Sequence, residues 1–134
     1  MNHHSIVVVY CQWYNVLETD ARGNSTTYCY NQRGLLEKKS DAGGYTTAYY
    51  YDRGGRLIAE VSPQNYQEGQ SLSSLNRVEY TYDSMNRLKQ TRNIYRDPEN
   101  GQWRTVITKT YEYDANGNIT KETDALGNAT TYSY

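Results

Sequence analysis

The sequence lacks the residues and runs that mark several common protein classes. Its 134 residues contain no phenylalanine and only two cysteines, two prolines and two histidines. Lys and Arg number 14 against 15 Asp and Glu, so no cationic surplus is present to hold a nucleic acid or an anionic membrane. The longest apolar run, residues 6–10, is far shorter than the roughly 20 residues of a membrane-spanning helix. We therefore expect no nucleic-acid partner and no membrane span.

The scarcity of histidine argues against catalysis. His3 and His4 are adjacent and near the N-terminus, and no Cys or carboxylate stands at a spacing that completes a metal site with them. The rest of the chain cannot supply a Ser-His-Asp or Cys-His set and lacks the commonest general base. No phosphate-binding glycine motif is present. We predict no catalytic residue, no cofactor site and no metal site, and hence that the chain is not an enzyme.

The two cysteines, Cys11 and Cys29, each follow a tyrosine. One disulfide is conceivable if the two tyrosine-cysteine pairs lie in adjacent strands, but spacing alone does not decide, and we expect thiols. The N-terminus lacks the basic region, the long apolar segment and the cleavage site of a signal peptide. The chain is therefore expected to be either cytosolic or a piece of a longer exported protein.

Tyrosine is the residue in excess, with 16 copies. Abundant aromatic and β-branched residues with almost no net charge oppose intrinsic disorder. Thr and Asn add the preferences of strands and turns. We therefore expect an all-β fold with tyrosine rings in its interior, where each hydroxyl needs water or a hydrogen-bond partner.

The tyrosines recur in a repeated motif. Four copies align: residues 28–36 (YCYNQRGLL), 49–57 (YYYDRGGRL), 80–88 (YTYDSMNRL) and 111–119 (YEYDANGNI). A fifth copy begins with Tyr132 and Tyr134. The second tyrosines fall at positions 30, 51, 82, 113 and 134, so their spacings are 21, 31, 31 and 21 residues. Self-similarity with fixed internal offsets predicts a repeat architecture.

The copies share two tyrosines, an Asp, a Gly or Asn, and a Leu or Ile. We predict that these positions define the repeat structurally; they are Tyr28, Tyr30, Gly34, Leu36, Tyr49, Tyr51, Asp52, Gly55, Leu57, Tyr80, Tyr82, Asp83, Asn86, Leu88, Tyr111, Tyr113, Asp114, Gly117, Ile119, Tyr132 and Tyr134. In the short units a second Asp-led segment begins eight residues before the first tyrosine, at Asp20, Asp41 and Asp124.

Each unit is expected to form two antiparallel strands. Tyr49 and Tyr51 are two residues apart, so they point to the same face of a strand. Asp-x-x-Gly or Asp-x-x-Asn then favours a turn, because Asp accepts local N–H groups and Gly or Asn tolerates positive φ. Leu57 begins a returning strand, with Ala59 and Val61 expected on its face. The second Asp-led segment reverses the chain again, which predicts a meander of about ten strands.

The long spacings contain insertions of two kinds. Between Leu88 and Tyr111 the sequence predicts an extended hairpin with its tip at residues 97–101. Simple alternation then places Ile94 on the face of Leu88 and Ile107 on the face of Tyr111. This hairpin contrasts with the other insertion, which is polar and rich in serine.

Pro63 ends a strand, and residues 64–76 are expected to form an ordered loop with one helical turn at residues 71–76.

At the N-terminus, residues 1–17 do not match the repeat. We interpret them as a non-repeat segment or a degenerate cap, and residues 18–134 as the repeat array.

These units resemble the tyrosine-aspartate (YD) repeats of the RHS family, which read roughly Tyr-x-Tyr-Asp-x-x-Gly-Arg-Leu. Residues 49–57 match every fixed position. The other copies depart at one or two positions, with Asn86 for Gly, Asn118 for Arg, Asn31 for Asp and Leu35 for Arg. The resemblance implies a β-sheet spiral forming a hollow shell, which in bacterial RHS proteins and toxin-complex subunits encloses a toxin and in teneurins serves cell-surface adhesion.

From the resemblance we expect an antiparallel, curved, meandering sheet that is an open segment of such a shell. It implies a structural role, with partners that are neighbouring repeats of a longer parent chain or copies of itself through the sheet edges, together with an enclosed toxin domain. It also implies a secreted or cell-surface location as part of a larger protein. The family's autoproteolytic motif is of the type Asp-Pro-x-Gly, and residues 97–101 (DPENG) place the Gly one position late, so no protease activity is expected.

Three alternatives remain open. Rows of aromatic rings could bind carbohydrate or cell walls, and unpaired edge strands could drive self-assembly. Asp52, Asp83 and Asp114 could form a ladder of cation ligands, but Asn31 fills the same position and can cap a turn without charge, which favours turn capping.

Arg56 and Arg87 follow the turns and are expected to be solvated or to bridge to neighbouring acids, at about 0.2–1 kcal/mol each.

Overall fold

The computed structural model describes residues 14–134, which form one antiparallel sheet of ten strands in sequence order. This part of the chain contains one short 3₁₀ helix and no α-helix. The strands are β1 Tyr14–Thr19, β2 Ser25–Tyr30, β3 Leu36–Ser40, β4 Thr46–Tyr51, β5 Leu57–Val61, β6 Arg77–Tyr82, β7 Leu88–Arg96, β8 Trp103–Tyr113, β9 Ile119–Asp124 and β10 Ala129–Thr131. The prediction of an all-β antiparallel meander is confirmed.

One type of five-residue turn closes the hairpins at both ends of the strands, apart from the long β5–β6 and β7–β8 connections. At Asp52 the backbone N–H donates to the carbonyl of Arg56 at 3.0 Å, and the N–H of Gly55 donates to the carbonyl of Asp52 at 3.1 Å. The fourth residue has positive φ, +88° at Gly55 and +63° at Asn86. Gly and Asn both tolerate this left-handed conformation, which explains why either residue can fill this position.

A β-bulge follows the turn in each of the four full repeats. Tyr51 lies opposite Leu57, whereas Tyr50 lies opposite Ala59, so one extra residue separates the two pairs. Because opposite residues share a face, Ala59 and Val61 lie on the face opposite to Leu57. The expectation that the three share one face is therefore wrong. The equivalent bulges lie at the pairs Tyr30–Leu36, Tyr82–Leu88 and Tyr113–Ile119.

The extended hairpin is confirmed, but the faces predicted for its side chains are not. The bulge next to Leu88 moves Ile94 to the other face, where it lies opposite Arg77. A further bulge, opposite Thr91 and Arg92, adds one residue to β8. Ile107 and Tyr111 therefore lie on opposite faces of the sheet, and not on one face as predicted. The tip at residues 97–101 is closed by the N–H of Asp97, which donates to the carbonyl of Gln102 at 2.8 Å.

The sheet has two unlike faces. The tyrosine face carries the paired repeat tyrosines and Leu57, and the loop face carries Ala48, Ala59 and Val61. Residues 62–76 fold over the loop face, where Leu75 (4% exposed) packs on Ala48 (2%) and Val61 (0%). The repeat tyrosines of β2 to β8 are half-buried. The prediction of an interior made of tyrosine rings is therefore wrong, since the most buried side chains are small and lie on the loop face.

The inserted loop has the helical turn that was predicted, a 3₁₀ helix at Leu72–Ser74. Strand β1 begins at Tyr14 and pairs with β2 over its whole length, so it crosses the proposed boundary at residue 17. The division into residues 1–17 and 18–134 stays a prediction.

His3, His4 and Cys11 lie outside the residues that the structure describes. Cys29 is fully buried on the loop face. Because a disulfide would need Cys11, the expectation of thiols at Cys11 and Cys29 also stays a prediction.

Candidate functional site

From the second copy onward, the second tyrosine of each repeat joins it to the repeat before. The hydroxyl of Tyr82 donates to the carbonyl of Leu57 at 2.7 Å, and the hydroxyl of Tyr51 donates to the carbonyl of Leu36 at 2.7 Å. The same bond links Tyr113 to Leu88, and Tyr134 to Ile119 at 2.8 Å. Each acceptor is the Leu or Ile at the start of the returning strand.

The bulge and the tyrosine act together at this junction. The Leu or Ile that accepts the hydroxyl is also the residue at which the bulge shifts the pairing register. A bulge disrupts the ladder locally and re-aims nearby groups. The tyrosine hydroxyl thus satisfies a carbonyl at an irregular point of the neighbouring repeat, which a phenylalanine could not do.

In two repeats the first tyrosine contacts a glutamate of the repeat before. The hydroxyl of Tyr80 donates to Glu60 Oε2 at 3.0 Å, and that of Tyr132 donates to Glu122 Oε2 at 3.3 Å. Glu60 in turn lies opposite Tyr49 in β4. Burial, and then the hydrogen bond and charge of Glu60, raise the pKa of Tyr80 to about 12. The phenol is therefore a stable hydrogen-bond donor at physiological pH.

The turn aspartates cap the backbone of their own turns. Asp83 Oδ1 accepts the N–H groups of Met85 at 2.8 Å and Arg87 at 3.0 Å. Bonds of this kind, above all the one to the fifth turn residue, lower the pKa of Asp52, Asp83 and Asp114 below 3.8. The amide oxygen of Asn31 accepts the N–H groups of the equivalent turn at 2.9 and 3.0 Å. The geometry is that of turn caps, which need no charge.

Arginine at the fifth turn position reaches the next repeat. Arg56 Nε pairs with Asp52 Oδ2 at 2.8 Å, and one terminal nitrogen donates to Asn86 Oδ1 of the next turn at 3.0 Å. Its guanidinium lies 4.8 Å from the ring centre of Tyr82, the second tyrosine of that repeat. Arg87 repeats the arrangement with Asp83 at 2.8 Å, the carbonyl of Asp114 at 3.1 Å and the ring of Tyr113 at 4.7 Å.

Arg33 is a junction residue that the sequence motif does not reveal. The turn at residues 31–35 has Leu35 at the position that arginine fills in the turns of Arg56 and Arg87. Arg33, two residues earlier, makes the contact to the next repeat instead. Its terminal nitrogens donate to the carbonyls of Asp52 at 3.1 Å and Arg53 at 2.8 Å. The available signal was an arginine within the one turn following a tyrosine pair that lacks the usual arginine or asparagine at its fifth position. Arg56 and Arg87 were expected to be solvated or to bridge to neighbouring acids, and both pair with an acid, but their contacts to the next turn were not predicted.

The remaining predicted positions lie in the same assembly. The ring of Tyr30 stacks on Tyr14 at 5.1 Å, and ammonium groups lie over the rings of Tyr28 and Tyr111, each at 5.9 Å. Gly34, Gly55, Gly117 and Asn86 are the positive-φ residues of their turns. The structure thus brings the predicted positions together in one continuous set of junctions along the tyrosine face and the turn edge.

This arrangement offers contacts rather than reacting groups. Within residues 14–134, no three metal-ligating side chains cluster at a cation-binding spacing. No helix in this described part is long and apolar enough to cross a membrane. The turn carboxylates are directed at backbone N–H groups of their own turns.

A single sheet of sequence-repeated hairpins, linked by side chains on one face, defines a β-repeat protein. The RHS repeat family model matches residues 30–66 and 107–134. These two segments therefore match RHS repeats, and the resemblance to this family is confirmed.

Two solved structures are similar to the chain, "Crystal Structure of TcdB2-TccC3-Cdc42" and "Crystal Structure of TcdB2-TccC3". Each is 18% identical, has a TM-score of 0.42 and covers 75% of this chain. The chain spans 5% and 6% of the length of those two chains. A search of curated proteins gave no match.

Proposed function

We propose that this chain is non-catalytic wall material of an RHS-type β-shell, in which its repeats stack on neighbouring repeats of a longer polypeptide. The shell encloses a toxin domain or presents a surface, and it is secreted or displayed on the cell surface. The repeat-defining tyrosines, turn residues and Leu or Ile positions act structurally. The observation that carries the proposal is the junction itself, in which Tyr82 and Arg56 direct their polar groups at adjacent repeats.

The chemistry of the array supports a non-catalytic role. Residues 20–134 contain no histidine, and the turn carboxylates accept backbone N–H groups. The tyrosine hydroxyls at the junctions donate to carbonyls or glutamates, and burial raises the pKa values of Tyr51, Tyr82 and Tyr113. Raised phenol pKa values oppose formation of a tyrosinate nucleophile.

The alternative that the tyrosine ladder binds carbohydrate is disfavoured by what covers its rings. Guanidinium groups lie over Tyr82 and Tyr113, and ammonium groups lie over Tyr28 and Tyr111. A stacked sugar would need these ring faces. Loss of the cation–π contacts would cost about 0.5–1 kcal/mol each at such sites.

The two edges of the described sheet account for the proposed partners. Strands β1 and β10 form these edges, and every residue of both strands is exposed. An exposed edge presents N–H and C=O groups to a further strand. Neighbouring repeats of a longer chain would satisfy these groups, as would a second copy of this chain.

The test is cryo-electron microscopy and limited proteolysis of the complete polypeptide whose reading frame contains this chain. We expect a hollow particle whose wall includes residues 14–134, and a protease-resistant enclosed segment that becomes sensitive when Arg56 and Arg87 are both changed to Ala. Leu126→Ala is the matched control, because Leu126 is 87% exposed and lies away from these junctions. A particle without a cavity, or a sheet projecting freely from another domain, would contradict the proposal.

A further inference from the structure

One of the two long insertions covers the loop face of the sheet, and the other does not. The first, residues 62–76, folds back over this face, where Leu75 packs on Ala48. It also brings a carboxylate, because Glu68 Oε1 pairs with the Nζ of Lys38 at 2.9 Å, and Lys38 lies opposite Ala48 in the sheet. The chain thus covers this part of the loop face with a segment that combines apolar side chains with an acid.

The second insertion forms the arms of β7 and β8 and leaves its own part of the loop face open. Arg92 lies opposite Glu79, and Glu79 lies opposite Ala59, which places Arg92 on the loop face. The side chains of this open part, here called the arginine–tryptophan surface, are Arg77, Arg92, Ile94, Arg96, Trp103 and Ile107. Trp103 is 39% exposed and Ile107 is 46% exposed.

The arginine–tryptophan surface carries more positive than negative charge. Two of its guanidinium groups share Glu79, whose Oε2 accepts from Arg77 Nε at 2.7 Å and whose Oε1 accepts from Arg92 at 3.2 Å. Arg96 forms no ion pair with any residue that the structure describes. Three guanidinium groups therefore stand against one carboxylate that is already paired. A carboxylate from outside this part of the chain would find donors here.

Trp103 holds two of these guanidinium groups in place. The guanidinium carbon of Arg96 lies 5.3 Å from the ring centre, and that of Arg77 lies 5.6 Å from it. A guanidinium that lies over an aromatic ring can still offer the N–H groups at its edge to a carboxylate. Arg77 is fixed further by the carbonyls of Leu72 and Leu75, which accept from it at 3.3 and 3.2 Å. This order before binding lowers the entropic cost of docking a partner.

We propose that the arginine–tryptophan surface docks an acidic segment of a partner polypeptide, with apolar side chains on Trp103 and Ile107 and a carboxylate on Arg96. Trp and Arg are enriched in protein interfaces and among the residues that dominate binding. The first insertion is the internal precedent, because it joins Leu75 and Glu68 to the same face of the sheet. The inference goes beyond the wall function, since none of the six side chains is a repeat-defining position.

The composition of the surface disfavours other ligands. A free anion would use the guanidinium groups but would leave Trp103 and Ile107 exposed. A nucleic acid or an anionic membrane is disfavoured because the chain has 14 basic against 15 acidic residues and so lacks a cationic surplus. A polypeptide segment can satisfy the apolar and the charged side chains together.

The test is an ¹H–¹⁵N NMR titration of the whole chain with the peptide acetyl-Glu-Leu-Glu-Leu-Glu-Leu-Glu-amide. We expect saturable shifts centred on the amides of residues 92–96 and 103–107, and an affinity that falls as the salt concentration rises. The affinity should be reduced about tenfold in Trp103→Thr and in Arg96→Gln. Thr suits a strand, and Gln keeps the length of the side chain without its charge.

Arg104→Gln is the matched control and should bind like the parent chain. Arg104 belongs to the same hairpin, but it lies opposite Tyr95 on the other face of the sheet. A peptide with Lys in place of every Glu should not shift the amides of the surface. Thermal unfolding of each variant is recorded in parallel, so that lost binding at an unchanged melting temperature separates docking from folding.

The proposal is overturned if the acidic peptide causes no saturable shift at these amides, or if the Lys peptide or inorganic phosphate shifts them equally. It is also overturned if Arg96→Gln binds as tightly as the parent. Shifts of the same amides with protein concentration alone would assign the surface to a second copy of this chain instead. None of these outcomes would affect the proposed wall function, which depends on the junctions of the tyrosine face.

Discussion

At the scale of single residues, the junctions explain why the chain uses tyrosine and never phenylalanine. A ring of either type could lie half-buried on the sheet. Only tyrosine can also donate a hydrogen bond, as Tyr51 and Tyr82 do to carbonyls one repeat away. A phenylalanine there would leave a carbonyl without this donor. The hydroxyl thus converts a packing contact into a directional link.

The value of that link can be measured with Tyr82→Phe. We expect the free energy of unfolding to fall by about 0.5–1.5 kcal/mol, because the Leu57 carbonyl loses a donor while the ring is kept. Chemical denaturation gives the value. Tyr111→Phe is the matched control, since the Tyr111 hydroxyl makes no hydrogen bond within residues 14–134, and its effect should stay within about 0.5 kcal/mol. Equal losses in the two variants would show that the hydroxyl bond contributes nothing specific.

At the scale of elements, the sequence predicts the strands and turns well because both depend on local chemistry. Asp at the start of a turn and Gly or Asn at its fourth position are sufficient to locate the hairpins. The alternation of faces along the returning strands could not be predicted. It depends on a bulge one residue after Leu57 and its equivalents, and a bulge is set by pairing with the partner strand rather than by its own residue types.

In the candidate site, likewise, the residues could be predicted from the sequence but their contacts could not. The tyrosines and turn aspartates recur at fixed offsets and were predicted, but the side-chain contacts that join the repeats link residues 10 to 30 positions apart in the chain, as in Tyr132–Glu122 and Arg56–Asn86. Arg33 takes the place of the missing arginine from another position. Contacts between elements, and not residue types, decide such substitutions.

The bulge can be tested by deleting Lys89, the extra residue between the pairs Tyr82–Leu88 and Thr81–Gln90. Without it, alternation would turn either Leu88 or the rest of β7 to the wrong face. We expect a loss of several kcal/mol or failure to fold, measured by chemical denaturation and circular dichroism.

Lys89→Ala controls for loss of the side chain, which is exposed, and should change the stability by no more than about 0.5 kcal/mol. A deletion variant as stable as Lys89→Ala would mean that the strand tolerates either register. In that case the bulge would not be a requirement of the repeat.

At the scale of the whole molecule, the sheet is held by a row of similar junctions with only a small buried cluster. Ala48, Val61 and Leu75 form this cluster under the inserted loop, on one side of the sheet. Toward β9 and β10 the two faces are partly or fully exposed. The stability of the array therefore depends on its turns and junctions to an unusual degree, and the turn aspartates are common to both.

This dependence predicts acid sensitivity. The pKa values of Asp52, Asp83 and Asp114 lie below 3.8 in the folded chain, because turn N–H groups bind the charged form. Unfolding releases those bonds, so the unfolded carboxylates take up protons at higher pH. The stabilisation is thus complete above the ordinary pKa and is lost as the pH falls through the lowered values. We expect the melting temperature to decline steeply below about pH 4.

The control is the triple variant Asp52→Asn, Asp83→Asn and Asp114→Asn. Asparagine keeps the turn cap, as Asn31 shows, but it does not titrate. The variant should be less stable than the parent at neutral pH, because Arg56 and Arg87 lose their paired carboxylates. Between about pH 5 and pH 3 its melting temperature should fall less than that of the parent. Parallel declines in the two proteins would place the acid sensitivity in other carboxylates and not in these turns.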